Sequence, residues 1–451
     1  MKRLLVVLLI VVAMVTVMAG CGNNEPEPST PADAEEEAPV DAEDSAAPAE
    51  DLAGNVVVYH YMSQQTKNDG LDALEVEFQK VHPDVTFENN LIVQTNYFST
   101  IRQLVAAGEA PDIMMGQPSQ YPDIIDTGVI MDLTNYPGID EIGLTQGDIN
   151  DCSYDGKLYA FPFDFKTYGI FYNKDIFAEH GLEVPETHAD LIDICDTLEA
   201  AGVDPFIRCY NDQVFPDIEV RAYFWPALIH SGQTDAWAKL MAGEKKFADY
   251  PEWQKALGLW TERLQYGRVD DMGNDQSKSY DLFCAGEGAM LYQGTWSIGD
   301  MVARDPEFEM GLFAIPTDEG AGSFCLQIDE IFMVNGQSEG GKIGAEFMSF
   351  CLKPENAAIW SAVTMMPSIV PGVDTSTLPG YLQDVIAAKE NNLVAHAGEW
   401  DAQIYGEFTT KYRMLLQEYA ADQLSEKSMT IESFTEKLQA TWDEIVATTT
   451  N

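Results

Sequence analysis

Apolar and polar positions fall into three regimes along the chain. Residues 4–17 are apolar apart from one threonine, 22–54 hold almost no large apolar residue, and from 55 onward short apolar runs alternate with amphipathic stretches. In the third regime NVVVYHY (55–61) is nearly continuous, which suits a buried parallel strand. After a loop over 62–70, Leu71, Leu74, Phe78 and Val81 share one helical face. His82-Pro83 ends that helix, because the residue before proline disfavours helical geometry. A strand at 85–88 follows, then a helix over 97–107 with Phe98, Ile101, Leu104 and Val105 aligned, then a third strand at 110–115. Strand, helix, strand, helix, strand predicts a doubly wound α/β fold.

The stretch DGKLYAFPFDFKTYGIFYNKDIF (155–177) carries the most information. It reads as a turn at Asp155-Gly156, a short strand (158–161), a proline-bounded crossing segment (162–166), a second strand (168–172) and a helix start (173–177). Farther on, 186–200 predicts a helix with Leu191, Ile194 and Leu198 inward; 223–231 is aromatic-rich; 251–266 is amphipathic. FCAGEGAMLYQGTW (283–296) reads as helix end, tight turn, strand and a loop carrying Trp296. One strand is predicted over 325–334, and helices over 342–351, 415–423 and 434–446. No internal repeat is visible.

The ends change the picture. Lys2 and Arg3, about 14 apolar residues, then Met18-Ala19-Gly20 before Cys21 fit a signal peptide rather than a span, which needs ~20 residues. The small residues ending at Cys21 look like a bacterial lipobox, which makes Cys21 the lipidation site; plain signal cleavage beside an incidental cysteine is the alternative. Residues 21–54 are rich in Glu, Asp, Ala and Pro and predict a disordered, extended acidic tether, an acidic interaction tail being the other reading. The remaining ~400 residues are enough for two lobes with their own cores.

Formal charge is −49, and loss of Lys2 and Arg3 takes the mature chain to −51. That argues against nucleic-acid or anionic-membrane binding by the body, since phosphate contacts need basic patches. The six cysteines after Cys21 are scattered, with no CxxC pair and no metal spacing, so no metal site and no cofactor is predicted and disulfide pairing stays open. Doubly wound sheets bind ligands at the carboxyl ends of their strands. That rule selects the loops 62–65 and 116–119, where Gln64 and Gln117 can each donate and accept, as a sugar hydroxyl requires; solvated loop glutamines are the plain alternative. HExxH, SxxK and P-loop patterns are lacking, and the six histidines are scattered singly.

Several segments then occur in a recognisable order: Ala106-Ala107-Gly108 to Pro111-Asp112-Ile113, Asp132-Leu133-Thr134, Asp155-Gly156-Lys157-Leu158-Tyr159, Tyr172-Asn173-Lys174-Asp175, Phe283 with Gly288-Ala289-Met290 and Gly294-Thr295-Trp296, Ala314-Ile315-Pro316, and 347–360. Together they resemble the extracellular solute-binding proteins of ABC transporters, family 1, the carbohydrate-binding, maltose-binding-protein-like group. The resemblance implies a two-lobed periplasmic-binding-protein type II fold, with lobe I at 55–163 plus 311–356 and lobe II at 164–310 plus 357–451. Hinge crossings would lie near 163–167, 309–311 and 353–357.

It also implies a binding protein rather than an enzyme: a monomer, lipid-anchored to the outer face of the bacterial cell membrane, that delivers a sugar to ABC permease subunits. Trp296 stands where the family places a stacking tryptophan. Asp164 and Phe165 in the crossing segment should face the cleft; Asp329, Tyr61 and Trp225 are further candidates, and Met365 and Trp400 weaker ones. For each, a core or capping role is the alternative. Gln327 and Asp329 depart from the small, glycine-rich residues commoner there, which leaves the particular sugar open. The competing functions are the same fold binding a polyamine or other small polar solute, a secreted carbohydrate-active enzyme, and a surface adhesin or sensor partner.

Overall fold

A computed structural model describes residues 52–449 except 234, 319, 321, 391–394 and 397–401. The signal, Cys21 and the acidic tether lie outside the described residues, as does Trp400. Among the described residues no helix is long and apolar enough to cross a membrane.

The first apolar run builds the strand Ala53–His60, which pairs in parallel with Asp84–Leu91 on one side and Ile113–Met115 on the other. Val56 and Val58 are fully buried, and the helix Gln65–Val81 lays Leu71, Leu74 and Phe78 into the same core. That helix starts inside the stretch expected to be loop. Its first turn lacks an apolar face, but it directs Lys67 inward, where the side chain is buried among carboxylates. The sheet continues through Ile331–Val334 and Phe161–Pro162, both antiparallel additions, giving five strands.

A second sheet of four strands runs Met310–Phe313, Tyr168–Asn173, Met290–Gly294, Phe206–Ile207. It packs with a separate core in which Trp253, Trp260 and Tyr210 are fully buried, beneath the helices Val214–His230, Pro251–Arg263, Ala402–Gln423 and Ile431–Thr449. The Asp155-Gly156 turn forms as read: both residues have positive φ (48° and 74°), the geometry of a two-residue hairpin turn, between Ser153–Tyr154 and Lys157–Leu158. All six body cysteines are free thiols, five of them buried.

Two chain crossings link the sheets. Phe161–Pro162 in the first sheet is followed by Phe165–Lys166, paired with Cys325–Ile328, and then by Tyr168–Asn173 in the second. The run 325–334, expected as one strand, is two strands in different sheets broken at Asp329-Glu330. The break is where the side chains leave strand alternation to form ion pairs. The two crossings are laced together: Phe163 N donates to Glu330 O (2.9 Å), Asp329 N to Asp164 O (3.2 Å) and Glu330 N to Asp164 Oδ1 (3.1 Å).

Two features lie at or beyond the boundaries expected at 311 and 357. Met310–Phe313 is one strand of the second sheet, and Trp360, Leu382 and Val385 pack in the core of the first. Trp360 is held there by an edge-to-face contact with Phe163 (5.3 Å) and by donating Nε1–H to Asp164 Oδ2 (2.8 Å).

Asp164 is buried, so losing that donor strands a carboxylate oxygen. Trp360→Phe is expected to lower the unfolding free energy by at least about 1–3 kcal/mol, the cost of an unsatisfied buried acceptor, in urea titrations. A loss below about 0.5 kcal/mol would show that Asp164 does not depend on Trp360.

Candidate functional site

A cavity of ≈ 880 Å³ opens at the carboxyl ends of the parallel strands, where the rule for doubly wound sheets places ligands. One wall comes from the loops after the first and third strands: Tyr61, Met62, Ser63 and Gln64, then Gly116, Gln117 and Gln120. The facing wall carries Trp296, Tyr168, Asn211, Gln213, Arg221 and Arg413, and the crossing segments supply Lys166, Gln327 and Asp329 between them.

Trp296 owes its position to its neighbour Gly294. A Cβ at 294 would lie 1.9 Å from Trp296 Cζ3, so only glycine lets the indole fold back over the strand end. Tyr168 meets the ring edge-on at 5.4 Å, and its hydroxyl donates to Gln327 Oε1 at 2.5 Å. Lys166 Nζ stands 5.8 Å from the indole centroid. On the opposite wall Tyr61 is fixed edge-on against Tyr97 (4.9 Å).

Tyr61, Gln64, Gln117, Trp296 and Asp329 therefore meet around one cavity. Asp164, Phe165, Trp225 and Met365 do not line it. Asp164 is fully buried behind the cavity floor, its oxygens taken by Trp360 and the Glu330 amide. Phe165 is 2 % exposed: side chains alternate along a strand, and Lys166 takes the cavity face while Phe165 turns inward beneath Lys389. Trp225 sits in the second core, against Phe224 at 5.5 Å. Met365 is partly buried against the first core.

The floor is ionic. Asp329 receives Lys67 Nζ on Oδ2 and Lys166 Nζ on Oδ1, each at 2.5 Å, and Lys67 Nζ also reaches Glu330 Oε1 at 2.5 Å. Burial opposes the charge on Asp329, but Lys166 and Lys67 outweigh it and hold its carboxyl well below the usual range. Burial likewise opposes the charge on Lys67, and Asp329 and Glu330 hold it above the ordinary lysine value. Glu330 moves the other way, pushed well up by burial and by Asp164 and Asp329; burial raises Asp164 as well. Asp329 thus carries negative charge between its two lysines, while burial disfavours the charge on Glu330 and Asp164. The three carboxylates have oxygens within 4.8 Å of one another. Lys67 already supplies the compensating positive charge a cation would bring.

Sequence reasoning missed Lys67, Lys166, Glu330, Arg221 and Arg413. Lys67 lay in a stretch read as loop, and the arginines sit on helices whose cavity-facing side no periodicity marks. Asp329-Glu330 between two apolar strands was the available signal for the floor.

Comparison with known proteins follows the same lines. A family model described as bacterial extracellular solute-binding protein matches residues 73–389. The multiple sugar-binding protein of Streptococcus mutans serotype c is 23% identical over 293 residues, covering 60% of this chain and 67% of that protein. The melibiose/raffinose/stachyose-binding protein MelE of Bacillus subtilis is 22% identical over 365 residues, covering 77% and 82%. The solved structure of apo RafE from Streptococcus pneumoniae superposes with a TM-score of 0.72 at 19% identity, covering 87% of this chain and 98% of that one.

Removing the Asp329 carboxylate leaves Lys67 and Lys166 without it. Asp329→Asn is expected to cost about 3–5 kcal/mol of stability at neutral pH, as for other broken buried pairs. A depressed folded pKa gives stability that is present above the unfolded value, about 4, and lost as pH falls toward the folded one. The gap between wild type and Asp329→Asn should therefore hold near neutral pH and narrow below about pH 4 in denaturant titrations. A gap unchanged at about pH 2 would show that the Asp329 charge is not its source.

Proposed function

This chain belongs to the bacterial extracellular solute-binding protein family, with its two-lobed type II fold, and we propose that it captures a sugar or oligosaccharide in the cavity for delivery to an ABC permease. The observation that carries this reading is the pairing of the Trp296 face with converging amides. A pyranose offers apolar C–H faces to an indole and a rim of hydroxyls to groups that both donate and accept, and Gln64, Gln117 and Gln213 are such groups on both walls. The names of the S. mutans and B. subtilis relatives, which are sugar-binding proteins, support the same class.

A polyamine is the poorer fit. A cation needs converging carboxylates with oxygens to give, and those around the cavity already hold donors. Asp329 has its two lysines, Asp212 accepts from Val214 N and Gln276 Nε2, and Asp275 caps the helix Gln276–Cys284 through Lys278 N. The family, whose members are binding proteins, supports binding without chemistry.

The two lobes we assign to the two sheets and their cores, with Phe163 to Thr167 and Asp329-Glu330 as crossings and closure as a hinge motion around them. We further read the protein as a monomer held on the outer face of the cell membrane by lipid on Cys21, with residues 21–54 as spacer.

A thermal-shift screen against mono- and oligosaccharides tests the reading, because a ligand that binds only the native state raises the melting temperature. Stabilisation by at least one sugar is expected, lost in Trp296→Ala and weakened in Gly294→Ala, whose methyl displaces the indole. Stabilisation by polyamines but by no carbohydrate would overturn it.

A further inference from the structure

Gln64 and Gln117 stand on separate loops, after the first and third strands, so a ligand that takes both reads the spacing between them. What sets that spacing lies behind the cavity, on the helix Gln94–Ala107. Tyr97 ties the two strands that lead into the loops. Its hydroxyl donates to Tyr59 O and accepts from Met115 N, both at 2.8 Å.

Phe98 touches both loops at once, its ring centroid 5.7 Å from that of Tyr61 and 5.7 Å from that of Tyr121. Tyr121 is fully buried and lies in turn against Gly116, where a Cβ would stand 2.5 Å from Tyr121 Cε2. The φ of 141° at Gly116 also favours glycine, so the second loop leaves its strand in a single fitted conformation. Its first amide is fixed as well, Gly116 N donating to Ile331 O at 2.8 Å.

Arg102, one turn beyond Phe98, holds the same ring, its guanidinium carbon 5.3 Å from the Tyr121 centroid. It donates Nη2–H to Gln120 O at 2.7 Å and grips both oxygens of Asp123, through Nε at 2.8 Å and Nη2 at 3.2 Å. Both partners are partly exposed, 40% and 49%, and an ion pair of that kind adds little to global stability. Its effect is local. Helix, Tyr121 and the backbone of the turn bearing Gln117 and Gln120 form one unit, while Phe98, Arg102 and Tyr121 stand behind the cavity lining rather than in it.

Resting on the reading of this cavity as a sugar site, we propose that Phe98 and Arg102 are positioning residues for the ligand. Phe98 sets the distance between the 61–64 and 116–120 loops, and Arg102 locks the second loop, so that Gln64 and Gln117 engage one sugar together. Loops left free would have to be ordered on binding, at a cost in affinity.

Hydrogen exchange of the unliganded protein tests the positioning role, beside calorimetry with the mono- or oligosaccharide that stabilises the wild type most. Arg102→Gln is expected to weaken sugar binding about 3- to 10-fold, the worth of one net hydrogen bond, and Phe98→Leu at least as much. In both unliganded variants the amides of 116–121 should exchange faster, while those of 294–297 on the facing wall keep the wild-type rate. Lys157→Gln, which breaks an exposed ion pair to Asp132 (2.9 Å) away from the cavity, should change neither readout. Wild-type affinity in both variants, an equal affinity loss in Lys157→Gln, or faster exchange spread over both walls would overturn the positioning role and leave the sugar reading standing. If no sugar stabilises the wild type, the sugar reading falls, and wild-type exchange at 116–121 in both variants would then overturn the hold of Phe98 and Arg102 on the loop.

Discussion

Asp329 is the residue on which the rest of the architecture turns. Its carboxylate is held by Lys67 from the first helix and by Lys166 from the crossing strand, at the point where the chain passes between strands of different sheets. Ion pairs taken out of water are rarely a source of net stability, because desolvation offsets much of the attraction. Their use here is geometric. They fasten three segments distant in sequence, and they do so directly beneath the cavity. Glu330, paired with Lys67 and donating its amide to Asp164, completes the joint.

From that joint the cavity's chemistry follows. The crossings bring Lys166 and Gln327 to the floor, and Gln327 receives the Tyr168 hydroxyl that stands at the edge of Trp296. The same strand register that turns Lys166 to the cavity turns Phe165 away from it. Crossing and cavity thus draw on adjoining residues: Asp329 pairs with Lys166, and Lys166 stands over the indole.

Much of this was legible in the sequence, for identifiable reasons. The strand-helix alternation from 55 to 115 showed because its apolar residues repeat with clean periods, and the Asp155-Gly156 turn showed because few residues tolerate positive φ. The carboxyl-end rule picked out Gln64 and Gln117, and the Gly294-Thr295-Trp296 motif picked out the indole. What stayed hidden was polar and long-range. Lys67 and Asp329 are 262 positions apart, and no local pattern says that a lysine in a polar helix turn will be buried. Asp164 and Trp225 were misplaced because a carboxylate or an indole serves a core as readily as a cleft; only the partners, Trp360 for one and Phe224 for the other, decide. Near 311 and 357, the strand Met310–Phe313 and the residue Trp360 are placed by long-range pairing and packing that no local pattern marks.

On the reading proposed above, one ligand contacts both walls of a single cavity. Amide hydrogen exchange across the whole protein, with and without a saturating sugar, tests it most directly. The claim predicts slower exchange, on sugar addition, in 62–65 and 116–121 on one wall and in 294–297 on the other, rising together at the same sugar concentration. Protection confined to one wall, or appearing away from the cavity altogether, would contradict it.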